Sequence, residues 1–311
     1  MRIVAAEQVH EALDFPRLIA ALEESHRAPP PLVDRALIED GGDGFLIWPA
    51  WQPGAALGTK LVTVFPGNAD RPQGPPTIQA VYILFDGADG SPQAMIDGTA
   101  LTYRKTAADS ALGAKYLART DAAHLVMIGA GALAPYLIEA HLAVRPSIER
   151  VTVWNRGPAR AEALCEGLSG RGPDCAVADD REAAIRAADI VVCATASQAP
   201  LVSADWLAPG THLDLAGAYT SDMVEADAAV AAIAEIYVDS RQFTLGHCGD
   251  LDIPLREGLI AEGDIRGDLF ELCGGAVAGR ADPAAVTLFK NGGGAHLDLM
   301  AARFVWARIG G

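Results

Sequence analysis

Two hydrophobic rhythms divide the chain. From His124 onward, short apolar runs alternate with helical stretches: Leu125–Ile128, then Leu137, Ile138, Ala140 and Leu142 at helical spacing, then Val151–Trp154. Uninterrupted apolar runs of this length predict strands buried on both faces, and strand–helix alternation predicts a doubly wound parallel sheet. The alternation continues through strands at Cys175–Ala178, Ile190–Thr195, Thr211–Gly217 and Ile236–Val238, with a helix at Arg181–Ala188. Upstream, the rhythm differs. An opening strand and an amphipathic helix, Asp14 to His26, end at Pro29-Pro30-Pro31. Short β-type runs then occupy Arg35–Glu39, Gly44–Trp48, Leu57–Phe65 and Ile78–Phe85, punctuated by Gly-Gly, Pro-Gly and Asp-Gly turns. Such a pattern predicts a meandering, mostly antiparallel sheet. A long helix is expected from Asp97 to Arg119, and the tail returns to a strand-like Val286–Lys290, a Gly292-Gly293-Gly294 turn and a helix, Leu297–Trp306.

The first turn of the alternating region carries chemistry. Gly129-Ala130-Gly131-Ala132-Leu133-Ala134 fits G-x-G-x-x-G/A and sits between a strand and a helix, with a second strand at the right distance. Gly129 allows the tight turn, Gly131 lets backbone approach a pyrophosphate, and Ala134 lets the helix pack close to the strand. The fold class is therefore α/β: a Rossmann-type doubly wound domain plus an α+β, mostly antiparallel domain. An NAD-preferring site usually ends its second strand in a carboxylate. Here Asn155-Arg156 stands there, with Arg160 a turn further on. A guanidinium can bind a 2′-phosphate that a carboxylate would repel, so NADPH is expected over NADH; the other reading of Arg156 is a residue capping a surface loop. Thr195 and the segment Ala216–Tyr219 end later strands, where ligands of such sheets bind.

Composition narrows the partners. A chain of 311 residues suffices for two domains, and its net charge of −16 argues against nucleic acid or an anionic membrane. The N-terminal stretch lacks the apolar run of a signal peptide, and no uncharged apolar run reaches the ~18–20 residues of a membrane span. The five cysteines are scattered without C-x-x-C, which is the usage expected of a reducing cytoplasm with thiols as small core residues.

Several blocks, in order, resemble the ornithine cyclodeaminase/μ-crystallin family: Gly58–Val62 with Phe65–Asn68, Leu101-Thr102 through Arg104–Ala108, the loop Ile128–Ala134, Val238–Ser240, Gly249–Leu251, and Thr287–Asn291 with Asp298-Leu299 beyond. The resemblance spans essentially the whole chain. It implies a substrate-binding and dimerisation domain of residues 1–112 with 290–311, a Rossmann domain of residues 113–289, a substrate cleft between them and a homodimer.

The resemblance also implies roles. Arg35 and Lys60 match cations that hold the carboxylate of a small amino or imino acid. A cation on an apolar strand is costly to bury without an anion, although an edge-strand lysine can also snorkel. Where the family usually has Arg, this chain has Lys105 with Arg104 beside it; helical neighbours point about 100° apart, so only one can face the substrate. Thr195, Leu215, Asn291 and Gly292 would flank the nicotinamide half of the cofactor, and Thr77 would close over it. Cyclodeaminases carry an Asp where this chain has Tyr219. Losing that base disfavours cyclodeamination and alanine dehydrogenation and points to reduction of cyclic ketimines, with the proton coming from Tyr219, Lys105 or water. Asp222 is expected to start the next helix. A ligand-binding protein without turnover is the reading from outside enzymology. His247-Cys248-Gly249-Asp250 with Asp252 lacks the accompanying cluster that a metal site needs, so no metal is expected. His296 reads as a helix-start residue more readily than as a proton donor.

Overall fold

A computed structural model describes residues 1–71, 73–170 and 172–310. The chain separates into two compact units, Met1–Lys105 with Gly294–Gly311, and Thr106–Gly293.

The first unit opens with β1 (Arg2–Val4), α1 (Ala6–Ala12) and α2 (Phe15–His26). Asp14 caps α2 by accepting from the Arg17 N–H, and Phe15, Leu18, Ile19 and Leu22 form its buried stripe. The strands that follow are β2 (Leu32–Val33), β3 (Ala36–Asp40), β4 (Asp43–Gln52), β5 (Ala56–Val64), β6 (Ile78–Asp86) and β7 (Pro92–Asp97). They form a sheet in the order β1-β7-β6-β5-β4-β2, with β3 also on β4. All pairings are antiparallel except β1 with β7. Two elements escape the sequence pattern. The N-terminal helical stretch is two helices, and β7 is a strand whose central Gln93 to Met95 offers no clear alternation. Helix α3 (Gly98–Leu117) then leads into the second unit.

That unit contains β8 (His124–Ile128), α4 (Ala134–Val144), β9 (Arg150–Trp154), α5 (Pro158–Leu168), β10 (Asp174–Val177), α6 (Arg181–Arg186), β11 (Ile190–Cys193), β12 (His212–Leu215), α7 (Ala228–Ile233), β13 (Glu235–Val238), α8 (Arg241–Thr244), α9 (Gly249–Arg256), β14 (Ile265–Asp268), α10 (Leu269–Cys273) and β15 (Thr287–Lys290). The sheet order is β10-β9-β8-β11-β12-β15-β13-β14, with every pairing parallel. Val126, Ile128, Val191, Leu213, Leu215, Ile236 and Leu288 anchor its apolar core. The strand read in the tail thus lies in mid-sheet between β12 and β13, and α3 crosses close to it. Gly113, in the middle of α3, meets the Phe289 ring, where any Cβ would come within 2.8 Å. Edge strand β14 was not expected, because Ile265-Arg266-Gly267-Asp268 has neither an apolar run nor alternation.

The cysteine expectation is corrected in part. Cys193, Cys248 and Cys273 are buried thiols, but Cys165 on α5 and Cys175 on β10 are disulfide-bonded, with Cα atoms 5.2 Å apart. Spacing alone could not reveal this, because the pair forms only when the α5–β10 turn folds the two together. No helix among the described residues is long and apolar enough to cross a membrane.

Finally, α11 (Ala295–Ile309) returns to the first unit, where it lies on β4, β5 and β6 and against α1 and α2. Ala295, Leu297, Leu299, Ala301, Ala302 and Val305 are its buried apolar positions.

Candidate active site

In the second unit, the glycine turn forms as its sequence requires. Gly129 has φ +103°, and a Cβ there would come within 2.8 Å of the Ala194 carbonyl and the Thr195 side chain. Gly131 faces open space, so another backbone-hugging group can approach it. Asn155 ties the turn to the end of β9: its Oδ1 accepts from the Ala130 N–H at 3.1 Å, and its Nδ2 donates to the Gly157 carbonyl at 2.8 Å. A cavity of about 660 Å³ lies here, lined among others by Gly129, Gly131, Asn155, Arg156, Arg160 and Thr195. Ala132 is exposed in the same turn but is not part of that lining.

The floor beside Thr195 rests on Glu225, a buried carboxylate that pattern reading did not single out. One of its oxygens accepts from the Thr195 N–H (2.7 Å) and hydroxyl (2.9 Å), and the other from the N–H groups of Gly217 (2.7 Å) and Ala218 (3.2 Å). Its own N–H donates to Asp250, which pairs at 3.0 Å with the fully buried Lys290. Burial raises the Glu225 carboxyl above its ordinary value against the opposing pull of Lys290. Burial alone would lower the Lys290 ammonium, but Asp250 and its acidic neighbours outweigh that and raise it. This network absorbs Cys248 and Asp250. Asp252 accepts from the Gly246 N–H, and among the described residues no group of three or more His, Cys, Asp or Glu side chains could hold a metal.

Other expected residues fall unevenly. Leu215 is buried in mid-sheet, and Asn291 spends its amide on the Thr106 carbonyl and the Ser110 hydroxyl. Gly292 packs against Thr244, and Thr77, in the first unit, is half-buried with its carbonyl on the Phe65 N–H. Tyr219 is 54% exposed. Asp222 does not begin a helix: it is exposed and accepts from Thr220 and Gln198, and the next helix, α7, is capped by Asp227. Thr220 and Asp222 satisfy each other locally, which favours a turn there over helix entry.

In the first unit, one cross-strand row places Trp48, Lys60, Tyr82 and Ile96 side by side on β4, β5, β6 and β7. Helix α11 covers these strands and brings Asp298 to the row. Lys60 Nζ lies 2.8 Å from Asp298 Oδ2 and 4.5 Å from the centre of the Trp48 ring, and the exposed Arg35 also approaches that ring, at 5.7 Å. Lys105 Nζ lies 4.0 Å from Asp298 Oδ1. Of the two neighbouring cations, it is thus Lys105 that joins Lys60; Arg104 stacks on Phe15 and donates to His10. Burial pulls the Lys60 ammonium down to about 8, against the raising effect of Asp298, and Lys105 pulls it lower still. His296 is the second residue of α11, edge-on to His26, and burial drives its pKa well below the ordinary range. It is neutral at physiological pH.

Residues 17–311 match the model of the ornithine cyclodeaminase/mu-crystallin family. The chain belongs to that family. The resemblance carried by the separate sequence blocks thus holds over nearly the full length. A Δ1-pyrroline-2-carboxylate reductase of Paracoccus denitrificans is 44% identical over 291 residues, covering 94% of this chain and 91% of the relative. Among solved structures, the Δ1-pyrroline-2-carboxylate reductase of Thermococcus litoralis in complex with NADH and L-proline is 29% identical, with a TM-score of 0.92 over 99% of this chain and 97% of the other. An archaeal alanine dehydrogenase dimer with bound NAD is 28% identical, with a TM-score of 0.90 over 99% and 95%. The family membership and these neighbours agree with a Rossmann-type parallel sheet joined to a mostly antiparallel one.

Proposed function

We propose that this protein reduces cyclic α-imino acids, Δ1-pyrroline-2-carboxylate or Δ1-piperideine-2-carboxylate, to L-proline or L-pipecolate with a nicotinamide nucleotide. The observation that carries the reading is Lys60 and Lys105 buried around one carboxylate in a chain 44% identical to a pyrroline-2-carboxylate reductase. In this reading Lys60 and Lys105 bind the substrate carboxylate, with Arg35 at the exposed side of Trp48. Two ammonium groups beside that carboxylate withdraw charge from the adjacent C=N carbon and favour attack there.

The second unit fits a dinucleotide. The open approach at Gly131, the cavity beside Arg156 and Arg160, and the backbone donors near α4 suit a pyrophosphate and an adenosine ribose. When bound, the nicotinamide supplies the hydride. We place Arg156 and Arg160 at a 2′-phosphate and expect NADPH to be preferred, since no acidic side chain lines that cavity. The relatives carrying NADH and NAD make this the point to measure, through Michaelis constants for both cofactors. Thr195, Gly292 and Thr77 would contribute backbone or hydroxyl contacts near the nicotinamide half. Leu215 and Asn291 would act by shaping the strand ends, because Leu215 packs in the apolar core and the Asn291 amide is spent on α3. Tyr219, exposed beside the Glu225-held segment, and Lys105 are candidate sources of the proton for the ring nitrogen.

A homodimer is part of the proposal. Leu32, Ile38 and Trp51 expose 49–62% of their surface on one face of β2, β3 and β4, an apolar patch suited to a second copy.

Purified protein mixed with NADPH and either cyclic imine tests the activity through loss of NADPH absorbance, beside L-ornithine with NAD and ammonia as readout. Rapid oxidation without ammonia is expected. Ammonia from ornithine would show that Tyr219 does not bar cyclodeamination, and silence in both would refute the reductase reading.

A further inference from the structure

Three buried carboxylates, Glu225, Asp239 and Asp250, accept from backbone. Glu225 takes three main-chain N–H donors, and Asp250 takes two. Asp298 differs. It is fully buried on α11, yet among the described residues no backbone or hydroxyl donor reaches either oxygen; its polar partners there are the ammonium groups of Lys60, at 2.8 Å, and Lys105, at 4.0 Å. A carboxylate that merely stabilised the fold would be expected to satisfy several of its lone pairs on the chain around it.

Among the described residues, Asp298 is the carboxylate that acts on Lys60. Tyr82, next to Lys60 on the sheet, is fully buried, with its hydroxyl held in the neutral form by burial and by Asp298. His26 and His296 are buried and neutral, and Trp48 offers only the face of its ring. Arg35, which also approaches that ring, is exposed. Asp109, one helical turn beyond Lys105 on α3, is a further buried carboxylate.

We infer that Asp298 is the positioning residue of the substrate site: it anchors the Lys60 ammonium and holds Lys105 beside it, so that the two cations together meet one substrate carboxylate. The inference rests on the reductase reading for the identity of that carboxylate, but not for the coupling of Asp298 to the lysines.

Lysine side-chain nitrogen NMR on the folded protein measures that coupling without turnover, with a Lys60→Met variant giving the assignment. Lys60 should titrate near 8 in the unaltered protein. Removing the anion in Asp298→Asn withdraws the effect that raises it, so the midpoint should fall, and the alkaline limb of kcat/KM for the cyclic imine should move with it to lower pH. A one-unit fall corresponds to a roughly tenfold loss of kcat/KM at pH near 9, largely recovered near pH 6. A purely structural role would lower kcat/KM alike at all pH values and leave the midpoint in place, and that result would overturn the inference. Asp298→Glu keeps the charge but moves it by one methylene. Its limb should stay put while kcat falls at least severalfold, and a kcat equal to that of the unaltered enzyme would overturn the positioning role even if Asp298→Asn is too unstable to titrate. If the unaltered enzyme fails to reduce either imine, the reductase reading falls, and the NMR midpoints alone decide the role of Asp298.

Discussion

Glu225→Gln is the most direct probe of how the strand ends are held. The substitution preserves shape and one acceptor oxygen, but it turns the other oxygen into an amide donor. If the amide faces Gly217 and Ala218, two N–H groups lose their acceptor; if it faces Thr195, the backbone N–H loses its acceptor while the hydroxyl can turn to accept from the amide. One of the four hydrogen bonds is therefore lost in the better orientation. A bond to a charged group contributes roughly 1.5–3 kcal/mol, offset in part by the relief of no longer burying a charge. A net cost of about 1–3 kcal/mol should lower the melting temperature of a unit this size by roughly 3–10 °C. Thr195 also lines the candidate cofactor cavity, so affinity for the reduced nucleotide should weaken by about tenfold, or 1.4 kcal/mol. Calorimetry and a fluorescence titration with NADPH check both. Asp222→Asn, whose carboxylate is exposed, is the control and should change neither. If Glu225→Gln melts with the parent and binds nucleotide equally well, the argument that this carboxylate organises the loops is wrong.

Lys60→Ala should raise the Michaelis constant for the imino acid at least tenfold, by loss of a charge-assisted contact, while nucleotide affinity measured by fluorescence stays close to that of the parent. Arg156→Ala should raise the Michaelis constant for NADPH much more than that for NADH; equal effects on both would remove Arg156 from the phosphate site. As pH falls below 7 the buried imidazoles work against one buried carboxyl, Asp214, which burial raises to about 7 and which gains stability as it takes up its proton; the imidazoles together outweigh it. Burial lowers His26 and His141 to about 4, so both are neutral in the folded state where the unfolded chain, at 6.5, already binds protons. Their contribution is complete above pH 6.5 and is lost as pH falls towards 4, on the order of 3 kcal/mol for each. Melting temperatures measured from pH 7 down to 4.5 should fall steadily.

What could be read in the chain depended on whether a requirement was local. Gly129 was legible because a strand turning straight into a helix demands a positive φ, and Gly131 because a phosphate needs bare backbone. Lys60 stood out as a cation among apolar neighbours. Glu225 and Asp298 did not, because their partners lie far away in sequence: Thr195 for the first, Lys60 and Lys105 for the second. Only folding brings those atoms within 4 Å. The choice between Arg104 and Lys105 had the same character. Adjacent helical positions point apart, but which one faced Lys60 depended on where α2 and its Phe15 lay. Asp222 misled for a local reason, since Asp is as good a turn residue as a helix cap.

The placement of β15 bears on how this chain comes into being. Strands β12 and β13 do not touch each other; both bond to β15, which is synthesised well after them. The first unit likewise lacks the helix that covers β4, β5 and β6 until residues 295–309 emerge. Both halves of the nascent chain therefore leave the ribosome as open-edged sheets, and the closing stretch completes them almost together. A pulse-labelled nascent chain should stay protease-sensitive throughout until that stretch is free, with no protected N-terminal fragment preceding it.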